Sequence, residues 1–265
     1  MRAAVIADVH GNLPALRAVL DAAERAGAET HLVLGDLVGY GGQPNECVEL
    51  VAGLGGTVIA GNHDLIALGR LSDERCIPLA RESLRWTQRV LAPSSRAYLE
   101  SLELTARPDP RVFLAHGTID DPQGYTASAR AAAGQLRRLA ETAPEARVLL
   151  LGHTHRPLAF AAVRGSLGVR GSVALGDDEA VLLNPGAAGQ SREPRALARG
   201  LLLDSGAGTA SFLRVAYHRG EARRALQAAG LSPRGIHLRP GPRRAAAVLR
   251  EDARRLRARL SRRPA

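Results

Sequence analysis

Lysine is absent from all 265 residues; the 36 basic side chains are every one arginine. Beside so much alanine and glycine, this reads as GC-rich coding bias and not as a chemical demand for guanidinium groups. Cysteine is nearly absent too. Cys47 and Cys76 alone exclude a disulfide framework and predict a reducing, cytoplasmic setting. No run approaches the ~18–20 apolar residues that a membrane span needs. The apolar stretch after Met1 is too short for a signal peptide, and Asp8 follows it at once. What remains is an ordinary hydrophobic content of 45% and a length that allows one large domain with an appendage.

The net charge of +10 is unevenly placed. Residues 232–265 hold eleven arginines against Glu251 and Asp252, a net +9, which leaves +1 for residues 1–231. The basic character therefore belongs to a tail. Pro233, Gly235, Pro240, Gly241 and Pro242 mark residues 232–242 as a linker. Beyond it, Leu249, Ala253, Leu256 and Leu260 share one helical face, so residues 243–265 are expected to form an Arg-rich amphipathic helix. It is either a solvated basic helix or a contact for an anionic partner. Without aromatics to stack bases, it would hold nucleic acid only through phosphates.

Residues 1–231 alternate between strand-like and helical patterns. Strands are expected at 2–7, 31–34, 57–60, 111–115, 147–151 and 180–183, with a closing hairpin at 201–204 and 209–215. Asn12 is placed to cap a helix with Pro14 in its first turn and Leu16, Val19, Leu20 and Ala23 at helical spacing. A second helix is expected over 47–54, and residues 65–104 read as helical. The alternation predicts an α/β protein, and the late strands allow a second sheet packed on the first.

Five of the eight histidines lie in short clusters that each follow a strand-like run. These are Asp8-Val9-His10, Gly35-Asp36, Gly61-Asn62-His63-Asp64, His116-Gly117 and Gly152-His153-Thr154-His155. Loops leaving the carboxyl ends of strands converge on one rim of an α/β sheet, where ligands bind. One Gly-Asp is ordinary turn chemistry, and a lone strand-end histidine is usually a hydrogen-bonded structural residue. Five such clusters in order point to a metal site. His31, His218 and His237 lie outside them and are read as structural.

These clusters resemble the ordered signature D-x-H, G-D, G-N-H-[D/E], H and G-H-x-H of the calcineurin-like metallophosphoesterase superfamily, over residues 1–231. The longer stretches Asp8–Leu13, Gly35–Gly41 and Asn184–Gln190 are similar to a small prokaryotic phosphodiesterase-like branch. Its late motif reads N-P-G-S-x-G-Q-P-R, from which Ala187 and Ser191 depart. The resemblance implies two packed mixed β-sheets flanked by helices, a four-layer α/β/β/α sandwich. It also implies a dinuclear metal centre, with Asp8, His10 and His155 on one ion and Asn62, His116 and His153 on the other. Asp36 would bridge them. Such a pair acidifies a bridging water and clamps a phosphate. Imidazole, carboxylate and amide ligands suit Mn²⁺, Fe or Zn²⁺, with Mn²⁺ the expected metal.

In the same resemblance His63 protonates the leaving-group oxygen or holds a phosphate oxygen. Asp64 either orients that loop or caps the helix that follows. Asn12 caps its helix or touches phosphate, and Tyr40 lines the substrate pocket or packs on its loop. The expected activity is hydrolysis of a small phosphate ester, a diester first and a monoester as alternative. Protein and dinucleotide phosphatases of the superfamily carry G-D-x-V-D-R-G, and here Gly39 and Tyr40 replace its second Asp and its Arg. A nuclease is disfavoured by the nearly neutral core. The remaining alternative is a non-catalytic scaffold, which the full ligand set argues against.

Overall fold

The alternation of side chains along β1 (Arg2–Ile6) sets the layering of the molecule. Ala3 and Val5, with Ala7 just beyond the strand, pack into a core between two sheets, whereas Ile6 joins a second core against helices. Both faces of the strand are buried, which is why it reads as an unbroken apolar run. In the computed structural model, which describes residues 1–176 and 178–239, the chain continues with α1 (Leu13–Arg25), β2 (Thr30–Val33), α2 (Pro44–Gly53), β3 (Thr57–Val58), α3 (Asn62–Ala67), α4 (Pro78–Val90) and α5 (Pro93–Glu100). Then come β4 (Thr105–Asp109), β5 (Val112–Ala115), α6 (Ala129–Thr142), β6 (Val148–Leu150), β7 (Leu158–Ala161), β8 (Gly165–Ser166) and β9 (Gly171–Ala174). The last elements are β10 (Val181–Asn184), β11 (Ala198–Asp204), β12 (Thr209–Val215), α7 (Arg219–Ala228) and a 3₁₀ turn, Pro233–Ile236.

Two six-stranded mixed sheets result, ordered β3-β2-β1-β11-β12-β9 and β4-β5-β6-β10-β7-β8. Leu32, Leu34, Leu201 and Phe212 of the first meet Leu114, Leu150, Val181 and Leu183 of the second in the central core. Leu16, Val19, Val48 and Leu84 cover the outer face of the first sheet, and Leu136 and Leu139 of α6 that of the second. This is the expected four-layer sandwich. Strands β1, β2 and β3 run parallel, as do β5, β6 and β10. All six carboxyl ends lead into the loops that carry the histidine and aspartate clusters or the Asn184–Gln190 stretch.

Several expectations need correction. The stretch 65–104 is three helices, because Pro78 and Pro93 each begin a new one at a position where a missing N–H costs nothing. Strand 57–60 stops at Val58; Ile59 makes only an isolated bridge to Glu103. Helices α6 and α7 and strands β4 and β7–β9 were not anticipated. Residues 232–239 do not behave as a free linker. Ser191 N–H donates to Ile236 O at 3.2 Å, and Leu238 N–H to Ser191 O at 3.0 Å, strapping this segment across the loop that follows Gln190. Residues 240–242 and the tail 243–265 lie outside the described residues. Among the described residues, no helix is long and apolar enough to cross a membrane.

Asn12 caps α1 and does not reach the cavity described below. Its Oδ1 accepts from Ala15 N–H at 3.3 Å, and its Nδ2 donates to Gly189 O at 2.7 Å and to the Tyr217 hydroxyl at 3.3 Å. Both ends of the amide are thus committed within the fold. Asn12→Ala removes the cap and strands Gly189 O, and is expected to cost about 2 kcal/mol. Thermal unfolding checks this; an unchanged midpoint would contradict the capping role.

Candidate metal centre

The loops that end the parallel strands share an unusual backbone. Among the described residues six non-glycine residues have positive φ, and they are Asp8 (55°), His10 (50°), Asp36 (55°), Tyr40 (56°), His153 (63°) and His155 (57°). Left-handed backbone costs a residue with a Cβ about 1–3 kcal/mol and persists only where its surroundings enforce it. Here it turns side chains on three different loops toward one point.

Two sets of donor atoms meet there, Asp8, His10, Asp36 and His155 in one and Asp36, His116 and His153 in the other. Within each set the atoms lie within 4.8 Å of one another. Asp36 Oδ2 stands 3.5 Å from His10 Nε2 and 3.2 Å from His116 Nε2. Asp8 Oδ1 is 3.6 Å from His155 Nε2, and the Nε2 atoms of His10 and His155 are 3.1 Å apart. Asn62, at the start of α3, is buried with its Oδ1 unpaired. All seven sequence-expected ligand residues are buried.

This donor set fits divalent cations. Nine buried side-chain N or O atoms lack a hydrogen-bond partner among the described residues. Six of them are Asp8 Oδ2, Asp36 Oδ2, Asn62 Oδ1, His63 Nδ1, His116 Nε2 and His153 Nε2. So dense a set of unpaired atoms is costly unless an ion satisfies them. The imidazoles are also oriented from behind. His10 Nδ1 contacts Val38 O at 3.0 Å, His116 Nδ1 contacts Leu34 O at 2.6 Å, and His155 Nδ1 contacts Gln190 O at 2.7 Å. A carbonyl on Nδ1 fixes the tautomer that leaves Nε2 free as a ligand, the usual support of metal-bound histidine. The electrostatics agree. Burial pushes the Asp8 carboxyl up to about 7. Burial alone would lower His116, yet the charge of the Asp36 carboxylate beside it outweighs burial and lifts His116 to about 9. The carboxylates thus draw a proton to the place where a cation would serve them better.

Asp64 works from behind the loops. Its Oδ2 accepts from Asp36 N–H at 2.8 Å and Gly61 N–H at 2.9 Å; its Oδ1 accepts from Leu37 N–H at 2.8 Å and Val38 N–H at 3.2 Å. Asp36 Oδ1 in turn accepts from His63 N–H at 2.8 Å. A Cβ on Gly61 would run into the Asp36 side chain and backbone, so the two loops can cross this closely only with glycine there. Asp64 is fully buried and is not among the residues lining the cavity beside the cluster, and its four accepted hydrogen bonds are those of a positioning residue.

A cavity of about 450 Å³ opens beside the cluster and is lined by Asn62, His63, His153 and His155 on the cluster side. Tyr40 forms part of its wall, its ring stacked on His63 at 4.9 Å and edge-on to His10 at 4.8 Å. Gly39 stands where the second aspartate of the other branches would be. Its φ is +84°, and a Cβ there would meet His63 Nδ1, so a side chain at this position would force the imidazole to shift. Burial lowers His63 to about 4.

Among the cavity residues that the sequence did not single out are Arg192, Tyr125 and Leu238. Arg192 follows the quoted Asn184–Gln190 run by two positions, and the arginine that ends the late motif was the available signal. Tyr125 lies on an irregular loop after His116 and carried no signal. Leu238 reaches the cavity because residues 232–239 fold back over Ser191.

Replacing Asp64 with Ala strands four buried backbone donors, each worth about 1–3 kcal/mol. Asp64→Ala is expected to lose at least about 3 kcal/mol of stability and to bind metal poorly, read by chemical denaturation and by metal analysis of the folded fraction. Wild-type stability and metal content would refute the positioning role.

Comparison with known proteins agrees with this geometry. Residues 1–204 match the model of the calcineurin-like phosphoesterase superfamily domain. The chain is 31% identical over 193 residues to the uncharacterized protein MJ0912 of Methanocaldococcus jannaschii, covering 72% of this chain and 77% of that one. The crystal structure of a metallophosphoesterase from Sphaerobacter thermophilus superposes with a TM-score of 0.76 at 33% identity, covering 89% of this chain and 96% of that one. The hypothetical protein PH1004 of Pyrococcus horikoshii shares the fold, with a TM-score of 0.72 at 21% identity over 89% of this chain and 96% of that one. With a metal-ligand cluster at the ends of its parallel strands and a family match over most of its length, the chain belongs to the calcineurin-like phosphoesterase superfamily.

Proposed function

We propose that the protein is a dinuclear-metal-dependent phosphoesterase acting on a small phosphate ester, most favourably a diester. One observation carries the reading: Asp36 belongs to both donor sets, so its carboxylate is shared. Asp8, His10 and His155 complete one site, and Asn62, His116 and His153 the other. Two divalent ions, Mn²⁺ being the best match to these ligands with Fe or Zn²⁺ close behind, would supply Lewis acidity to the phosphoryl group and to water.

The chain's own residues do the rest. Asp64 and the histidine-bound carbonyls hold the ligands in place, so little reorganisation is needed when substrate arrives. His63 lines the cavity next to Asn62 and would hold a phosphate oxygen or, where the anionic substrate offsets the burial that keeps it neutral in the empty site, protonate the leaving-group oxygen. Tyr40 walls the other side of that imidazole. Among the described residues no carboxylate lines the cavity, which favours an anionic ligand there. Ile77 and Tyr125, both well exposed, and Leu238 give the cavity an apolar wall. That wall suits an ester group extending past the phosphate, which supports a diester over a bare monoester. The intact ligand set and His63 speak against a non-catalytic scaffold. The free thiols Cys47 and Cys76 suit a reducing cytoplasm.

Turnover of bis-p-nitrophenyl phosphate is expected to depend on added Mn²⁺; a fully metallated protein without turnover would contradict the reading. Asp36→Asn is expected to lower occupancy of both metal sites together with the rate, checked by elemental analysis beside the assay. His63→Ala should keep its metals while losing roughly 10²–10⁴-fold in turnover. Loss of a metal from that variant would reassign His63 as a ligand.

A further inference from the structure

The cavity wall holds one guanidinium with unusual company. Arg192 Nη1 donates to the Tyr125 hydroxyl at 3.2 Å, Nη2 to the Tyr40 hydroxyl at 3.4 Å, and Nε to Gln190 Oε1 at 3.3 Å. All three partners are neutral and all three distances are long. No carboxylate among the described residues forms an ion pair with it, whereas Arg75 on the same wall pairs with Asp121 at 2.9 Å. A partly buried cation lacking a counter-charge is costly in the absence of a ligand.

Its position supplies the ligand. Arg192 lines the cavity together with Asn62, His63, His153 and His155. It lies two residues beyond Gln190, whose carbonyl orients His155. The two tyrosines that hold it also touch the cluster: the Tyr125 ring lies 4.4 Å from His153 and the Tyr40 ring 4.9 Å from His63. Each hydroxyl accepts from Arg192 and keeps its own proton to donate. Two O–H groups and a planar guanidinium fork therefore border one space beside the donor atoms, an arrangement suited to a tetrahedral oxyanion.

We infer that Arg192, held between Tyr40 and Tyr125, is the phosphate anchor of this site and binds non-bridging oxygens of the ester phosphate. The inference rests on the phosphoesterase reading and adds a binding residue to it. The strap of residues 232–239 belongs to the same device, because its hydrogen bonds to Ser191 fix the loop from which Arg192 projects.

The test compares Arg192→Met, Arg192→Lys and Tyr125→Phe with wild type, all as full-length Mn²⁺-loaded proteins. It measures calorimetric binding of inorganic phosphate, metal content, the unfolding midpoint, and kcat and KM on bis-p-nitrophenyl phosphate. Arg192→Met is expected to bind phosphate about 10–100-fold more weakly, the worth of a charged hydrogen bond, with metal content and midpoint unchanged. Arg192→Lys should recover part of the affinity, and Tyr125→Phe should lose less than Arg192→Met. Phosphate affinity equal to wild type in Arg192→Met overturns the inference. So does a loss that tracks metal content in both Arg192 variants, which would make the residue a support for the ligand loop. A wild type that binds phosphate through Arg192 yet turns over no ester would instead overturn the phosphoesterase reading and leave the anchor standing.

Discussion

Six donor side chains converge on one buried spot, with the buried, unpaired Asn62 amide on the cavity wall beside them, and the rest of the molecule is arranged so that they can. Carboxylates and imidazoles packed this closely leave buried lone pairs unpaired, and five of the six sit on left-handed backbone. Neither condition is favourable by itself. Both are held by the two-sheet frame, in which six parallel strand ends deliver their loops to a common rim. Asp64 braces the loops from below with four backbone hydrogen bonds. Carbonyls of Leu34, Val38 and Gln190 brace the imidazoles. Bound cations would satisfy these lone pairs, and their binding energy would in turn steady the loops.

The same constraint explains what could be read from sequence. A side chain that leaves a buried strand end is announced by the apolar run before it and often by a glycine beside it, so the placing of Asp8, Asp36, Asn62, His116 and His153 on one rim was legible. Asp64 was legible as a residue but not as a role, since a cap and a loop brace use the same carboxylate; the structure has it accept from Gly61 and from the Asp36 loop at once. Asn12 carried a similar ambiguity, which its bonds to Ala15 and Gly189 resolve in favour of the fold.

What stayed hidden depends on long-range geometry. Helices α3, α4 and α5 merge in a hydrophobicity pattern, and Pro78 and Pro93 mark where the second and third begin. Strands β8 and β9 are short and largely exposed, so they lack an apolar signature. The proline and glycine content of residues 232–239 suggested a linker, because nothing local reveals that Leu238 N–H finds Ser191 O. Tyr125 acquires meaning only next to His153. Gly39 is the most instructive case. From sequence it was the loss of an aspartate; in three dimensions it is the space that His63 Nδ1 requires.

The central claim is that one carboxylate serves two metal ions. Anomalous diffraction from crystals soaked in Mn²⁺ tests it directly. Two peaks are expected about 3.5–4 Å apart, on either side of the Asp36 carboxylate, one against His10 and His155 and the other against His116 and His153. A single peak at full occupancy, or two peaks of which one lies away from Asp36, would contradict it.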